Sequence, residues 1–343
     1  MNAGNDPFAL DDEQLARYLE QHVEGFCGPL SAEKFSAGQS NPTYLIRAAS
    51  GNYVLRRKPP GNLLPSAHAV DREYRVLAAL QASPVPVATP LHLCTDEAVI
   101  GSWFYLMEYV PGDIHFDPLL PDFSNSQRLA CYNAIIDTLA ALHRIQPAAC
   151  GLADYGKPGN YFARQTDRWT RQYRASETGH AAAFESLINW LPQHIPGDDG
   201  STALIHGDFR IDNFIFKPGS QELAAILDWE LSTLGHPLAD LAYFCMCLRL
   251  PRQGLIKGLA GLDRQEYGIP EERQMVDRYC RQSGRAQPQH WNFYLVFNFF
   301  RLAAIAQGVY SRALAGNASS EQGRQVGKIA TMVAQMGVDL VDH

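Results

Sequence analysis

The chain has 343 residues, more than a single hydrophobic core usually organises, so two domains of roughly 100–200 residues each are expected. Its composition, 46% hydrophobic and 19% charged, is enough for two cores and excludes wholesale disorder. A formal net charge of −7 gives no general field for nucleic acid, so any anionic ligand has to be met by a local basic feature.

An opening helix is expected from Asp11 to Val23, with acids in its first turn and Leu15, Tyr18 and Leu19 on one face. Strands follow at Lys34 to Gly38, Tyr44 to Ala48 and Asn52 to Arg57, with Ser50-Gly51-Asn52 as a hairpin turn. A helix over Val70 to Gln81 ends at the prolines 84, 86 and 90, and Val99 to Val110 reads as a strand broken by Pro111-Gly112. This sheet-first region closes near residue 112. Beyond it the period becomes helical, as at Leu129, Tyr132, Ile136 and Leu139, with strands only at Leu204 to His206, Phe214 to Lys217 and Leu223 to Leu227. The expected domains are 1–112 and 113–343.

Seven scattered cysteines, without the paired spacing of a zinc site, read as reduced thiols. No basic segment followed by an apolar run opens the chain, and the apolar stretch Trp291 to Ala306 is interrupted by Asn292, Asn298 and Arg301, short of a membrane span. A soluble cytoplasmic protein with no membrane and no nucleic-acid partner is the expectation.

The chemistry concentrates in His206-Gly207-Asp208-Phe209-Arg210-Ile211-Asp212-Asn213, followed fifteen residues after Asn213 by Asp228-Trp229-Glu230. Phosphoryl transfer needs a carboxylate to orient the attacking hydroxyl and a divalent cation on the nucleotide phosphates. The spacing His-x-Asp-x-x-x-x-Asn is that of a kinase catalytic loop, with Asp208 as base and Asn213 as metal ligand, and Asp228 after the apolar strand falls where a second metal-binding Asp stands. Taken singly, His-Gly-Asp is a common turn and an Asp after a strand is a common helix cap. Their joint occurrence, in this order and after a sheet-first lobe, favours the chemistry.

With these motifs the chain resembles the aminoglycoside phosphotransferase family, and within it the branch associated with acyl-CoA dehydrogenases. Further markers are Phe35-Ser36-Ala37-Gly38-Gln39-Ser40-Asn41, Tyr53 to Gly61, Glu108-Tyr109-Val110-Pro111-Gly112 and Gly235-His236-Pro237-Leu238-Ala239-Asp240-Leu241. The resemblance implies an α+β, protein-kinase-like two-lobed fold, with an antiparallel N-lobe sheet plus one helix and a mostly helical C-lobe, and it implies use of ATP and Mg2+. It places Gly38, Ser40 and Asn41 over the nucleotide phosphates and makes Glu108 to Val110 the hinge that hydrogen-bonds adenine. Arg56 stands where the family's strand carries Lys, so that either Arg56 or Lys58 holds the phosphates, with Glu73 pairing the cation. Asp240 is expected to brace the catalytic loop, and Arg210 and Arg301 either face the substrate or form structural ion pairs.

The resemblance leaves the hydroxyl acceptor open. Arg164, Arg168, Arg171 and Arg174 fall on one face of an expected helix, either a grip for an anionic acceptor such as a coenzyme A thioester or a solvated face paired with Asp167 and Glu177. Read with the acyl-CoA dehydrogenase association, the stripe favours phosphorylation of a hydroxyacyl-CoA or hydroxy acid. The alternatives are an aminoglycoside or other small-alcohol kinase, a non-catalytic nucleotide-binding module motivated by Arg56, and a metal-dependent hydrolase. Asp240 comes only twelve positions after Asp228, little room for a peptide-docking loop.

Overall fold

The structure, a computed structural model, describes residues 8–35, 41–59, 69–254, 256–317 and 320–341. Its elements begin with α1 (Asp12–His22), β1 (Leu30–Lys34), β2 (Thr43–Ala48), β3 (Gly51–Arg57), α2 (Val70–Leu80), β4 (Pro90–Cys94), the single turn α3 (Glu97–Ile100), β5 (Phe104–Glu108) and β6 (Asp113–Ile114). They continue with α4 (Asn125–Arg144), α5 (Tyr161–Ala175), α6 (Ala182–Trp190), β7 (Ala203–Ile205), β8 (Phe214–Phe216), β9 (Leu223–Ile226), β10 (Thr233–Gly235), α7 (Leu238–Arg249), α8 (Glu272–Ser283), α9 (Trp291–Arg312) and α10 (Ser320–Val341). Two compact units result: Met1–Ile114 with Cys150–Leu152 and Asn213–Ser232, and His115–Ala149 with Ala153–Asp212 and Thr233–His343.

The first unit is built on an antiparallel sheet in the order β1-β2-β3-β5-β4. Asp11 caps α1 by accepting the Gln14 N–H at 2.9 Å, and the helix buries Leu15 and Leu19 against Tyr44, Ile46, Leu55 and Leu106 of the sheet. The β2–β3 register pairs Ala48 with Gly51, so the turn is residues 49–50 and Gly51, at φ +139°, starts the return strand. Helix α2 buries Val70, Val76, Leu77 and Leu80 together with one charged residue, Glu73. A second sheet, β6-β8-β9, pairs Ile114 with Ile215 and so recruits residues 213–232 into this unit. Gly112 is required there, because at φ +158° a Cβ would collide with the Phe216 carbonyl.

Several expectations shift. The boundary expected after residue 112 falls after Ile114, and the stretch 213–232 returns to the first unit because β8 finds its partner in β6. The first sheet strand is Leu30–Lys34; of the stretch Lys34 to Gly38, residues 36–38 lie outside those described. Val99 and Ile100 are helical, since Asp96 caps the turn through the Ala98 N–H at 2.9 Å and Gly101, at φ +81°, ends it. Strand β4 begins on Pro90 at the sheet edge, where a missing N–H is tolerated.

The second unit is mainly helical. Ser124 and Gln127 form a reciprocal cap on α4, whose buried residues Cys131, Tyr132, Ile135, Ile136 and Leu139 keep helical spacing. Helix α9 is apolar almost all round and packs on α5, α7 and α10. The helical run Trp291–Ala315 is long and apolar enough by length and composition to cross a membrane, longer than the expected stretch to Ala306, but 83% of its most apolar window is buried inside the fold. A short antiparallel pair, β7 with β10, leads into and out of the segment that bears His206 and Asp208.

Candidate active site

In the first unit, strand alternation turns Arg56 and Arg57 to opposite faces. Arg57 is absorbed by the fold, donating to Ser102 Oγ and to the Ile100 carbonyl, both at 2.8 Å. Arg56 instead enters an acidic cluster: its Nε is 2.8 Å from Glu73 Oε2, and its Nη2 is 2.6 Å from Asp228 Oδ1 and 3.5 Å from Glu230 Oε2. The Nε–Glu73 contact is an ion pair whose angle falls short of a hydrogen bond. Glu73 also accepts from Asn41 Nδ2 at 2.7 Å and from the Tyr105 hydroxyl at 3.1 Å. Lys58 lies elsewhere, with Nζ 3.9 Å above the Trp103 ring.

One guanidinium facing three carboxylates makes this cluster net acidic. Burial pushes the Glu73 carboxyl up to about 7, opposed by Arg56 and reinforced by Asp228 and Glu230. Burial works against the charge of Arg56, but the acids around it hold its pKa above the ordinary value.

Asp228 follows β9 in the left-handed region, φ 63° and ψ 62°, a conformation that Asp tolerates better than most side chains. Buried Trp229 anchors the turn by donating Nε1–H to the Ile226 carbonyl at 3.0 Å. Asn213 is buried, and its carbonyl accepts the Leu227 N–H at 2.8 Å, which ties the end of the His206 to Asn213 segment to the residue before Asp228. Among the described residues no group of three or more His, Cys, Asp or Glu side chains is arranged to hold a metal unaided. Asn213 and Asp228 carry an amide and a carboxylate, oxygen donors of the kind that magnesium takes alongside phosphates and water. Glu108, exposed at the end of β5, and half-buried Val110 flank the expected hinge. Gly38 and Ser40 lie outside the described residues.

In the second unit, Asp240 near the start of α7 accepts the backbone N–H groups of His206 at 2.6 Å and Gly207 at 2.9 Å, and lies 3.3 Å from His143 Nε2. His143 Nδ1 is in turn 2.7 Å from the Tyr279 hydroxyl. Gly207 adopts φ +85°, a conformation that turns the loop sharply before Asp208. Arg301 donates to the Gly207 carbonyl and stacks its guanidinium over Trp169 and Tyr243, so it is a structural brace. Asp208 Oδ1 accepts the Tyr243 hydroxyl at 2.7 Å and Oδ2 accepts Arg210 Nε at 3.2 Å; Arg210 Nη1 also meets Asp212 Oδ2 at 2.9 Å. Burial would raise the Asp208 pKa, but Arg210, the Tyr243 hydroxyl, His206 and Arg301 outweigh it and hold the carboxyl below its ordinary range. Asp208 is therefore a carboxylate at neutral pH, held at both oxygens.

Asp208 and Arg210 thus belong to the second unit, and Asn41, Arg56, Lys58, Glu73, Glu108, Val110, Asn213 and Asp228 to the first. The arginine stripe of α5 resolves into the solvated alternative. Arg171 pairs with Asp167 at 2.8 Å, Arg174 with Glu177 and Glu185, and Arg164 donates to the Lys157 carbonyl at 2.6 Å, while Arg168 lies over Trp169. Each of these interactions is local, and no anion is needed to explain the stripe. Sequence reasoning passed over Glu230, Tyr105, Tyr243, Asp212 and His143. Only Tyr243 carried a usable signal, because it follows the bracing Asp240 by three residues and shares its helix face.

A family model described as "Phosphotransferase enzyme family" matches residues 31–276. Acyl-CoA dehydrogenase family member 10 of Mus musculus is 47% identical over 327 residues, 94% of this chain and 30% of that protein. Acyl-CoA dehydrogenase family member 11 of Homo sapiens is 42% identical over 336 residues, 96% of this chain and 43% of that protein. The chain therefore spans less than half the length of these relatives. The crystal structure of a candidate aminoglycoside phosphotransferase from Ralstonia eutropha is 46% identical, with a TM-score of 0.89 over 97% of this chain and 99% of that one.

Proposed function

Because the chain belongs to the phosphotransferase enzyme family and has its kinase-like α+β fold, we propose that it transfers the γ-phosphoryl group of ATP to a hydroxyl of a small acceptor, with Asp208 as the group that orients that hydroxyl. The observation that carries the reading is the state of Asp208: an ionised carboxylate fixed by Tyr243 and Arg210, on a loop whose backbone is fastened by Asp240.

In this reading Arg56 rather than Lys58 faces the nucleotide phosphates, since Glu73 and Asp228 aim the Arg56 guanidinium while Lys58 rests on Trp103. Asn213 and Asp228 would hold magnesium, whose charge offsets that of the phosphates during transfer. Glu108 to Val110 would offer backbone groups to adenine, and the Gly38, Ser40 and Asn41 segment would cover the phosphates. Asp208 aligns the acceptor oxygen and takes its proton as the O–P bond forms, and Arg210 steadies the carboxylate. Asp208 need not be strongly basic, because a loose phosphoryl-transfer transition state calls on the hydroxyl proton late.

For the acceptor we favour a hydroxyacyl-CoA or hydroxy acid. Support comes from the acyl-CoA dehydrogenase names of the relatives alone, since the α5 arginines are already paired. An ADP-release assay across hydroxyacyl-CoA thioesters, free hydroxy acids, aminoglycosides and simple amino alcohols tests this. Turnover led by the thioesters or acids supports the assignment, and turnover confined to aminoglycosides removes it. One observation favours a second reading: Arg56, standing in place of Lys, is clasped by three carboxylates, as in a nucleotide-binding module without transfer. ATP binding without ADP release for any acceptor would select that reading.

A further inference from the structure

Helix α7 carries two side chains, one turn apart, that both end on the segment bearing Asp208. Asp240 takes the His206 and Gly207 N–H groups, and Tyr243, three residues on and thus on the same face, donates its hydroxyl to Asp208 Oδ1 at 2.7 Å. Fastening the backbone does not by itself aim a carboxylate. The terminal torsion of Asp is broad and roughly two-fold, so the plane of its carboxylate is set only when donors grip both oxygens. The second donor, Arg210 Nε, reaches Oδ2 at 3.2 Å and shares its guanidinium with Asp212 at 2.9 Å. The shorter bond is the one from Tyr243.

We propose that Tyr243 is a positioning residue for phosphoryl transfer, its hydroxyl fixing the plane of the Asp208 carboxylate so that one oxygen stays aimed at the acceptor hydroxyl. The proposal rests on the reading of Asp208 as the acceptor-orienting group. The phenol is 4% exposed, so its proton must go to a buried partner, and Asp208 is that partner. The charged and titratable groups around the pair are Arg210, His206 and Asp212 of the loop, Arg301 of α9, and Cys247 on α7 itself. Burial and the Asp208 charge hold the Tyr243 phenol well above its ordinary pKa, so the hydroxyl remains a donor at any working pH. The ring also packs beneath the Arg301 guanidinium, 5.2 Å from the ring centre, and Tyr243→Phe preserves that contact while removing only the donor.

The experiment is a 13C NMR titration of the Asp208 side-chain carboxyl in nucleotide-free wild type and Tyr243→Phe, assigned by the signal missing in Asp208→Asn. ADP release with a short-chain hydroxyacyl-CoA and thermal unfolding of each protein accompany it. In Tyr243→Phe, Asp208 is expected to bind its proton about tenfold more tightly, because a donor to the charged form is gone. The kcat should fall about 10- to 100-fold with the KM for ATP unchanged, and the melting temperature should drop by only a few degrees, the stability that a tenfold rise in the proton affinity of Asp208 removes at neutral pH. An Asp208 titration that does not move overturns the proposal. So does a parallel loss of kcat, ATP affinity and melting temperature, which would mark Tyr243 as a core residue only. Full transfer by Asp208→Asn would instead refute the reading of Asp208, and is seen independently of Tyr243.

Discussion

The two units each surround one arginine with carboxylates, and they do so to opposite ends. Around Arg56 in the first unit stand Glu73, Asp228 and Glu230, three acids on one cation, and burial drives Glu73 up to about 7. Around Arg210 in the second stand Asp208 and Asp212, with the Tyr243 hydroxyl and Arg301 as further donors of positive field, and Asp208 is held below its ordinary range. The same side-chain chemistry is thus tuned in two directions by what surrounds it. The first cluster has a negative surplus that a bound cation would balance; the second is balanced already and keeps one carboxylate ionised and aimed.

The largest effect that sharpens this contrast is expected for Arg56→Ala. Removing the one cation leaves Glu73, 2% exposed at its side chain, without compensation, and loss of one partner from a buried pair costs about 3–5 kcal/mol. Urea unfolding should show that loss and isothermal titration a matching weakening of ATP binding. A drop below about 1 kcal/mol would mean that Glu73 is already neutral at the working pH.

Next in size is a pH effect that separates the clusters. As pH falls through about 7, Glu73 takes up a proton and releases Arg56, so kcat/KM for ATP should decline along a limb centred there. Asp208, with its pKa lowered, stays ionised over the same interval, so kcat at saturating ATP should remain flat down to about pH 5. In Glu73→Gln the limb should vanish at a reduced plateau. If both parameters fall together near pH 7, or if the limb survives in Glu73→Gln, the contrast between the clusters is broken.

The smallest effect is expected for the α5 stripe. Arg171→Ala and Arg174→Ala remove exposed, locally paired side chains, and surface pairs of this kind contribute little. Melting temperature and the KM for every acceptor should stay as in wild type. A KM for a coenzyme A thioester raised tenfold in either variant would return the stripe to the acceptor site.

What was legible in the sequence was whatever depended on short-range spacing. The sheet-first order, α1, α2, the β2–β3 hairpin and the Asp208 to Asn213 spacing rest on periodicity or on neighbouring residues, and these were read from composition and pattern. Pairings between distant residues were not legible. Residues 213–232 return to the first unit because Ile215 pairs with Ile114, about a hundred positions away, and no local pattern encodes that partner. Glu230 and Tyr105 join Glu73 and Arg56 through folding alone. The arginine stripe shows the reverse case: its helical spacing was real, but the spacing is silent about whether Asp167 and Glu185 or a ligand answers the charge.

The role of Asp208 in transfer is tested most directly by 31P NMR of ATP turned over in the presence of a hydroxyacyl-CoA acceptor. Wild type should produce ADP together with a phosphomonoester resonance coupled to the acceptor carbon, and Asp208→Asn should bind ATP while forming that ester about 10^2- to 10^4-fold more slowly. Release of inorganic phosphate without any ester, across acceptors, would contradict transfer to a hydroxyl, and ester formation by Asp208→Asn at the wild-type rate would contradict the role assigned to that carboxylate.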